Sequence, residues 1–373
     1  MESVNIPKPE NRYAEQAVSW LEGHLPRGWS VEGTPEGALD PLGVSLDSRI
    51  FLKAPNQTTG AVAVEERDAV TPRTVLDLIS PRVQTARSMG AHLPLVVIAP
   101  WLSKRTRELL TERDLGYIDL TGNALLRLDN PPFYLQTTGA ERNPAPKERG
   151  KAQLRGAKAA RLIRLLIDVR PPYDLGDLAV ATGLAPGYLS RLLDTLDREA
   201  LIERVPRGAV ESVDIRGLLR RWANSYDVFR SNQALNLIAP SGIEALLEGV
   251  LRADPADPEI VITGSFAAAA MTAPIAAPAL LVAYCERPQE VAAEGGLLPS
   301  DEGANVVLLS PFDRVAVERS SFRDHLTYAA PSQVVVDCLT GNGRMPAEGE
   351  ALLAWMVDNE SAWREPGLDR HGR

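Results

Sequence analysis

The sequence has little of the material from which several classes of protein are built. It contains two cysteines in 373 residues, Cys285 and Cys338, which match neither a zinc-ligand spacing nor a disulfide scaffold. None of its four histidines is paired at ligand spacing. No uninterrupted apolar run reaches the roughly 20 residues that cross a bilayer. We therefore expect no metal site and no membrane partner.

Signal, nucleotide-binding and hydrolase motifs are also missing. The start, MESVNIPKPENRYAEQ, has no basic segment followed by an apolar one, so we expect a cytoplasmic protein. There is no Walker, Rossmann or G-x-S-x-G motif, and hence we expect no cofactor and no enzymatic activity. With 45% apolar and 24% charged residues the composition is that of an ordinary globular chain, long enough for two or three domains.

Charge is distributed unevenly along the chain. The net charge is −9, yet residues 151–230 contain 14 Lys and Arg against 10 Asp and Glu, and 12 of those cations are Arg. Residues 231–373 contain 9 against 20. Arginine suits contacts with phosphates and base edges. The cationic excess over 151–230 therefore indicates where a nucleic-acid interface would lie.

The first part of the chain, 1–140, has the pattern of an α/β domain. Its predicted helices cover 13–24, 71–90 and 103–114, and its predicted strands lie at 28–32, 48–53, 61–66 and 94–100, followed by a strand, a turn at Gly122-Asn123 and a strand over 116–128. We expect Pro81 to break or kink the second helix and Ser103 to cap the third. Residues 141–156 are polar and basic with two prolines, which is typical of a linker.

This domain resembles the restriction-endonuclease-like fold, in which an acid on one strand and an E-x-K triplet on the next hold Mg²⁺. Here Asp47, or equally Asp40, precedes the strand SRIFLK, and an E-E-R triplet bounded by Glu65 and Arg67 ends the next strand. Arginine stays protonated and cannot serve as a tunable base. We expect a degenerate domain, in which Asp47 or Asp40, with Glu65 and Arg67, are the nuclease candidates.

The next part, 157–230, predicts a winged helix-turn-helix. The expected elements are helices over 157–169, 175–182 and 185–199, strands at 201–205 and 209–213, and a helix over 214–230. Four leucines of the third helix, at helical spacing, form its buried face. In this motif the third helix enters the DNA major groove, and the hairpin contacts the neighbouring backbone.

The exposed side of that third helix and the hairpin supply the predicted DNA contacts. They are Pro186, Gly187, Tyr188, Ser190 and Arg191 on the helix, and Arg204 and Arg207 on the hairpin. Contacts with phosphates contribute salt-dependent affinity rather than sequence choice. The alternative is a winged helix used for protein contact, with these side chains solvated.

The last part, 231–373, predicts a second α/β domain, which resembles the nucleotidyltransferase fold. We expect helices over 234–250, 331–340 and 347–359, and strands at 279–285 and 305–310. Gly264 and Ser265 lie between the strand EIVIT and a helix, where that family cradles a phosphate. The following strand, PALLVAYC, has no acid to hold the family's metals. Transferase activity is therefore not expected.

Two segments, VVIAPWLSKRTRELLTERDLGYIDLTGNALLRL and APSQVVVDCLTGNGRMPAEGEALLAWM, flank the winged helix. Together they resemble bacterial AbiEi-family antitoxins and related winged-helix regulators, which implies a repressor or autoregulator. We expect a transcriptional regulator that binds double-stranded DNA as a homodimer, because one recognition helix covers only a half-site. A further protein partner stays open. The alternatives are a metal-dependent nuclease directed by the winged helix and an antitoxin that binds a partner toxin.

Overall fold

The computed structural model describes residues 12–34, 48–88, 94–145, 154–205, 208–249, 260–272, 275, 277–300 and 302–368. Contacts between Cα atoms divide the chain into two units. One contains Met1–Gly150 with Arg198–Ala200, and the other contains Lys151–Asp197 with Leu201–Arg373. Each is built around a seven-stranded mixed sheet, so the chain is mixed α/β with two large sheets.

Helices and strands alternate irregularly in the first unit. In chain order they are α1 (Arg12–Glu22), β1 (Ser30–Thr34), β2 (Ser48–Lys53), β3 (Thr59–Glu66), α2 (Pro72–Thr74), α3 (Ser80–Ser88), β4 (Leu95–Ala99), α4 (Lys104–Glu112), β5 (Gly116–Asp119), β6 (Ala124–Leu128) and β7 (Phe133–Thr137). The predicted cap of α4 is confirmed, because the Ser103 hydroxyl accepts the Thr106 N–H. Strand β7 was not among the predicted strands.

The first sheet follows chain order from β1 to β7. Strands β3, β4 and β5 are parallel, and the flanking pairs are antiparallel. The central strand β4 is buried along its whole length, as expected for a strand covered on both faces. Val96 and Ile98 point into a core shared with α1. Val97 and Ala99 point into a second core shared with α4.

The segment after β3 stays helical through Pro81, so of the two predicted effects of this proline the break does not occur. A π-helical turn, Val75–Ile79, connects α2 to α3, and its bonding is shown by the Ser80 N–H, which donates to the Val75 carbonyl. A π turn already departs from the i→i−4 bonding of an α-helix. Pro81 follows directly after it, so its missing N–H and its ring are accommodated there.

The end of β5 is fixed by a buried carboxylate. Asp119 is fully buried and accepts five hydrogen bonds, from the backbone N–H groups of Leu102, Thr121 and Asn123 and from the side chains of the last two. The turn that it stabilises contains Gly122 at a φ of +97°. These bonds connect the β5–β6 turn to the start of α4.

The second unit contains three helices and a hairpin followed by a larger α/β region. Its elements are α5 (Gly156–Asp168), α6 (Leu175–Thr182), α7 (Pro186–Arg198), β8 (Ile202–Arg204), β9 (Val210–Val213), α8 (Ile215–Ala223), α9 (Val228–Ser231), β10 (Gln233–Ile238), α10 (Ile243–Glu248), β11 (Ile260–Thr263), α11 (Gly264–Met271), β12 (Leu281–Cys285), α12 (Pro288–Glu294), β13 (Leu298–Pro299), β14 (Val306–Ser310), β15 (Ser321–Arg323), β16 (Leu326–Tyr328), α13 (Pro331–Leu339), α14 (Met345–Asp358) and α15 (Glu360–Trp363).

The second sheet has the order β13-β10-β14-β12-β11-β16-β15. Strands β12 and β14 are parallel, as are β11 and β16, and the remaining pairs are antiparallel. Helix α13 packs against α8 and α5 as well as against α11 and α14. One buried apolar cluster therefore extends from the helices α5–α8 to the strands of the sheet.

Two helical predictions in this unit were wrong. The stretch 234–250 begins as the strand β10, whose half-buried Leu235 and buried Leu237 alternate with exposed neighbours, and only its later part forms α10. The stretch 214–230 is two helices, because α8 ends at Ala223 and the Asp227 carboxylate caps α9 by accepting the Phe229 N–H.

Candidate nucleic-acid interface

The helices α5, α6 and α7 with the hairpin β8–β9, residues 156–213, are here named the helix–hairpin segment. Asp174 and Asp177 form a capping box at the start of α6, and Gly183 ends that helix in the left-handed region at a φ of +66°. The turn then leads to α7, which begins at Pro186. The predicted leucine stripe of α7 is confirmed as buried: Leu189, Leu192, Leu193 and Leu196.

The opposite side of α7 carries the predicted contact residues. Pro186, Gly187 and Arg191 are exposed, whereas Tyr188 and Ser190 are half-buried. Among the described residues, the Arg191 side chain has neither a hydrogen-bond partner nor an ion-pair partner. Its guanidinium is thus available to an external acceptor such as a phosphate or a guanine edge.

The hairpin is joined to the segment between α5 and α6 by an isolated backbone bridge at Tyr173. Tyr173 and Val210 exchange two backbone hydrogen bonds, of 3.2 and 2.9 Å, and form an antiparallel bridge. The Tyr173 hydroxyl donates to the carbonyls of Leu166 and Val169 at 3.1 and 2.6 Å. These contacts set the position of β9 relative to α5.

Of the two hairpin arginines, the structure describes Arg204. Arg207 and its neighbour Pro206 lie outside the described residues. Arg204 donates to the Asp194 carboxylate of α7 at 2.9 Å, and only 12% of its side chain is exposed. Its charge is therefore already paired within the protein, and its direct contribution here is to hold β8 against α7.

Two of the candidate nuclease residues of the first unit, Glu65 and Arg67, form an ion pair with each other. Asp40 and Asp47 lie outside the described residues. The buried Glu65 carboxylate accepts from Arg67 at 2.5 Å and from Arg82 at 3.1 Å. In the part of the chain that the structure describes, no three His, Cys, Asp or Glu side chains are grouped so that they could hold a metal ion.

The Gly264-Ser265 turn is buried and filled by the protein itself. Gly264 has a φ of +65°, and a Cβ at this position would lie 3.2 Å from Met345 Cε. The Ser265 hydroxyl donates to the Glu348 carboxylate at 2.5 Å, and both residues are buried. The Ser265 hydroxyl is thus engaged with Glu348, and the space beside Gly264 is occupied by Met345.

Comparisons with family models, with curated proteins and with solved structures find no match to this chain. The resemblance to AbiEi-family proteins accordingly stays a prediction. No helix among the described residues is both long enough and apolar enough to span a membrane.

Two arginines of α5 connect the helix–hairpin segment to the loop after β14. Arg161 makes a bidentate ion pair with Asp313, at 3.1 and 2.7 Å, and this bond lowers the pKa of the Asp313 carboxyl. Arg164 is fully buried; it donates to Asp168 at 2.8 Å and to the carbonyls of Val315 and Glu318 at 2.7 and 2.8 Å. We did not predict these contacts, although the oppositely charged i, i+4 pair of Arg164 and Asp168 was a usable signal.

A second set of buried polar side chains, which we also did not predict, surrounds Asp337 of α13. Its carboxylate accepts hydrogen bonds from Tyr226, Tyr284, Thr263 and Gln333, at 2.6 to 2.8 Å. Burial raises the pKa of Asp337 to about 6, and these four hydrogen bonds act in the opposite direction. Tyr226 follows α8, so this polar group connects the end of α8 to the sheet strands β11 and β12.

Proposed function

We propose that the protein is a sequence-specific DNA-binding transcriptional regulator and that its helix–hairpin segment is a winged helix-turn-helix. The observation that carries the proposal is the orientation of α7, which buries its leucines and exposes Arg191, whose side chain has no partner among the residues that the structure describes. A helix that follows a tight turn and presents such a face is suited to the major groove. The AbiEi resemblance supports the same function.

Charge supports DNA over protein as the partner. The segment 151–230 has more basic than acidic residues, and α8, directly after the hairpin, adds the exposed Arg216 and Arg220. Arg220 donates to Glu350 at 2.7 Å, whereas Arg216 has no partner among the described residues. A surface with unpaired arginines gains affinity from counterion release when it meets the phosphate backbone.

We also infer the fold family of the domain that is built around each of the two sheets. The antiparallel strands β1, β2 and β3, followed by β4 parallel to β3, support a restriction-endonuclease-like domain. The ion pairs of Glu65 with Arg67 and Arg82 support the view that this domain is degenerate. The order β11, α11, β12 with Gly264 at the first turn supports a nucleotidyltransferase-like domain without chemistry. In this proposal both domains serve oligomerisation or signal sensing, and a cytoplasmic homodimer presents two α7 helices to two half-sites.

The test measures binding of the full chain to genomic DNA fragments by gel shift at several salt concentrations. Arg191→Glu and Arg207→Glu should each weaken binding strongly and lower the salt slope. Arg230→Glu is the matched control, because Arg230 is 90% exposed on α9 and makes only a 3.8 Å pair with Asp227. Equal binding by wild type and Arg191→Glu would refute the placement of α7 in the groove.

A further inference from the structure

The first turn of α7 presents almost no hydrogen-bonding side chain. Ala185, whose carbonyl accepts the Leu189 N–H at the helix start, is exposed, as are Pro186 and Gly187. Tyr188, half-buried, packs against the apolar core. Apart from the hydroxyl of Tyr188, the first hydroxyl and guanidinium groups of α7 come later, at Ser190 and Arg191. The tip of the helix is therefore small and apolar.

Nothing within the described protein requires residues this small. A Cβ built on Gly187 would meet no atom within 4 Å, and its φ is not in the left-handed region, so neither packing nor backbone geometry calls for glycine. Glycine inside a helix is less stable than alanine. Alanine at the residue before a helix is also less stable than serine, whose hydroxyl caps an N–H. Both positions thus lower helix stability without a folding reason.

The DNA major groove supplies a matching surface. Among the four bases only thymine displays an apolar group there, its 5-methyl, and small apolar side chains are its usual contacts. The absence of bulk at Gly187 lets the helix backbone come close to the base edges. Arg191 lies one turn further along the helix, where its guanidinium can bind a phosphate or a guanine.

We infer that the tip of α7 recognises thymine methyl groups through Ala185, Pro186 and Gly187, so that the preferred half-site contains thymine beside the position contacted by Arg191. This inference rests on the proposed function. It differs from it by naming the chemical group that is recognised and by adding Ala185 to the contact residues.

The experiment uses the full chain in two steps. Duplexes are first selected from a random library, and each thymine of the enriched site is then replaced singly by deoxyuridine, which removes only the methyl group. We expect affinity to fall about three- to fivefold at one or two thymines per half-site, and to be unchanged at the others. If no duplex is enriched, the proposed function fails and this inference fails with it. If a site is enriched but no deoxyuridine weakens binding, only the inference fails.

Protein variants provide a second readout. Ala185→Ser should raise the melting temperature, because it supplies a capping hydroxyl, yet should reduce the preference for thymine over deoxyuridine. Gly187→Leu has open space for its side chain, so it should fold and bind the selected duplex at least tenfold more weakly. The matched control is Ala293→Ser on the exposed side of α12, which should bind as wild type. Wild-type binding by Gly187→Leu would overturn the close approach.

Discussion

Replacement of Arg164 by methionine tests how much the second unit is stabilised by the buried Arg164 guanidinium, which pairs with Asp168 of the same helix and donates hydrogen bonds to the loop after β14. The side chain of Arg164 has 0% exposure, and its guanidinium satisfies Asp168, two backbone carbonyls and the Gln333 side chain. Arg164→Met leaves these acceptors buried, with Asp168 retaining only the Ser332 hydroxyl. Stranding one member of a buried pair costs about 3–5 kcal/mol.

Arg161→Met is the matched control, one turn away on the same helix. Arg161 also pairs with the loop after β14, but its side chain is 40% exposed. Ion pairs that reach solvent contribute at most about 1 kcal/mol. For a unit of this size, 1 kcal/mol corresponds to a shift in melting temperature of roughly 2–4 °C. We therefore expect losses of roughly 6–20 °C for Arg164→Met and below about 4 °C for Arg161→Met.

Differential scanning calorimetry measures both variants, because it separates the transitions of two units within one chain. A double variant, Arg164→Met with Asp168→Leu, removes the stranded carboxylate and should recover part of the loss. Equal losses for Arg161→Met and Arg164→Met, or no recovery in the double variant, would refute the reasoning.

Three further predictions concern single carboxylates. Because the pKa of Asp337 is raised, the folded chain binds more protons than the unfolded chain between pH 4 and pH 6, so wild type should lose about 2 kcal/mol of stability relative to Asp337→Asn as the pH rises from 4 to 6, measured by urea unfolding; a constant difference would contradict this. Plasmid incubated with the protein and Mg²⁺ or Mn²⁺ should stay uncut, since Glu65 is held by two arginines; cleavage abolished by Glu65→Ala would restore the nuclease alternative. Asp119→Ala should destabilise the first unit by about 3 kcal/mol or more, because buried donors lose their acceptor, and calorimetry should show a smaller loss for Asp119→Asn.

Where local signals agreed, the sequence was sufficient to place elements of the fold. The strand Ser48–Lys53 and the helix Leu175–Thr182 occur at the predicted residues. Each has a clear periodicity and a clear boundary, a turn-forming glycine in the case of α6. The buried and exposed sides of α7 followed from leucine spacing alone.

Elements whose conformation depends on distant partners were missed. The stretch around Leu235 contains helix-forming residues, and it becomes a strand because β14 and β13 pair with it. The ion pair of Arg204 with Asp194 joins two elements ten residues apart, and the Arg164 contacts reach loop residues about 150 positions away. Spacing along one chain does not specify such partners. The predicted contact of Arg204 with a phosphate therefore did not take its ion pair with Asp194 into account.

The common core of the second unit limits how the DNA-binding part can be separated from the rest. Expression of residues 157–230 alone, the natural choice from the sequence, would uncover the apolar faces that α5 and α8 bury against α13. It would also leave the Arg164 charge on an open surface. A soluble fragment for crystallisation with duplex DNA should therefore begin near residue 151 and retain the sheet through residue 368.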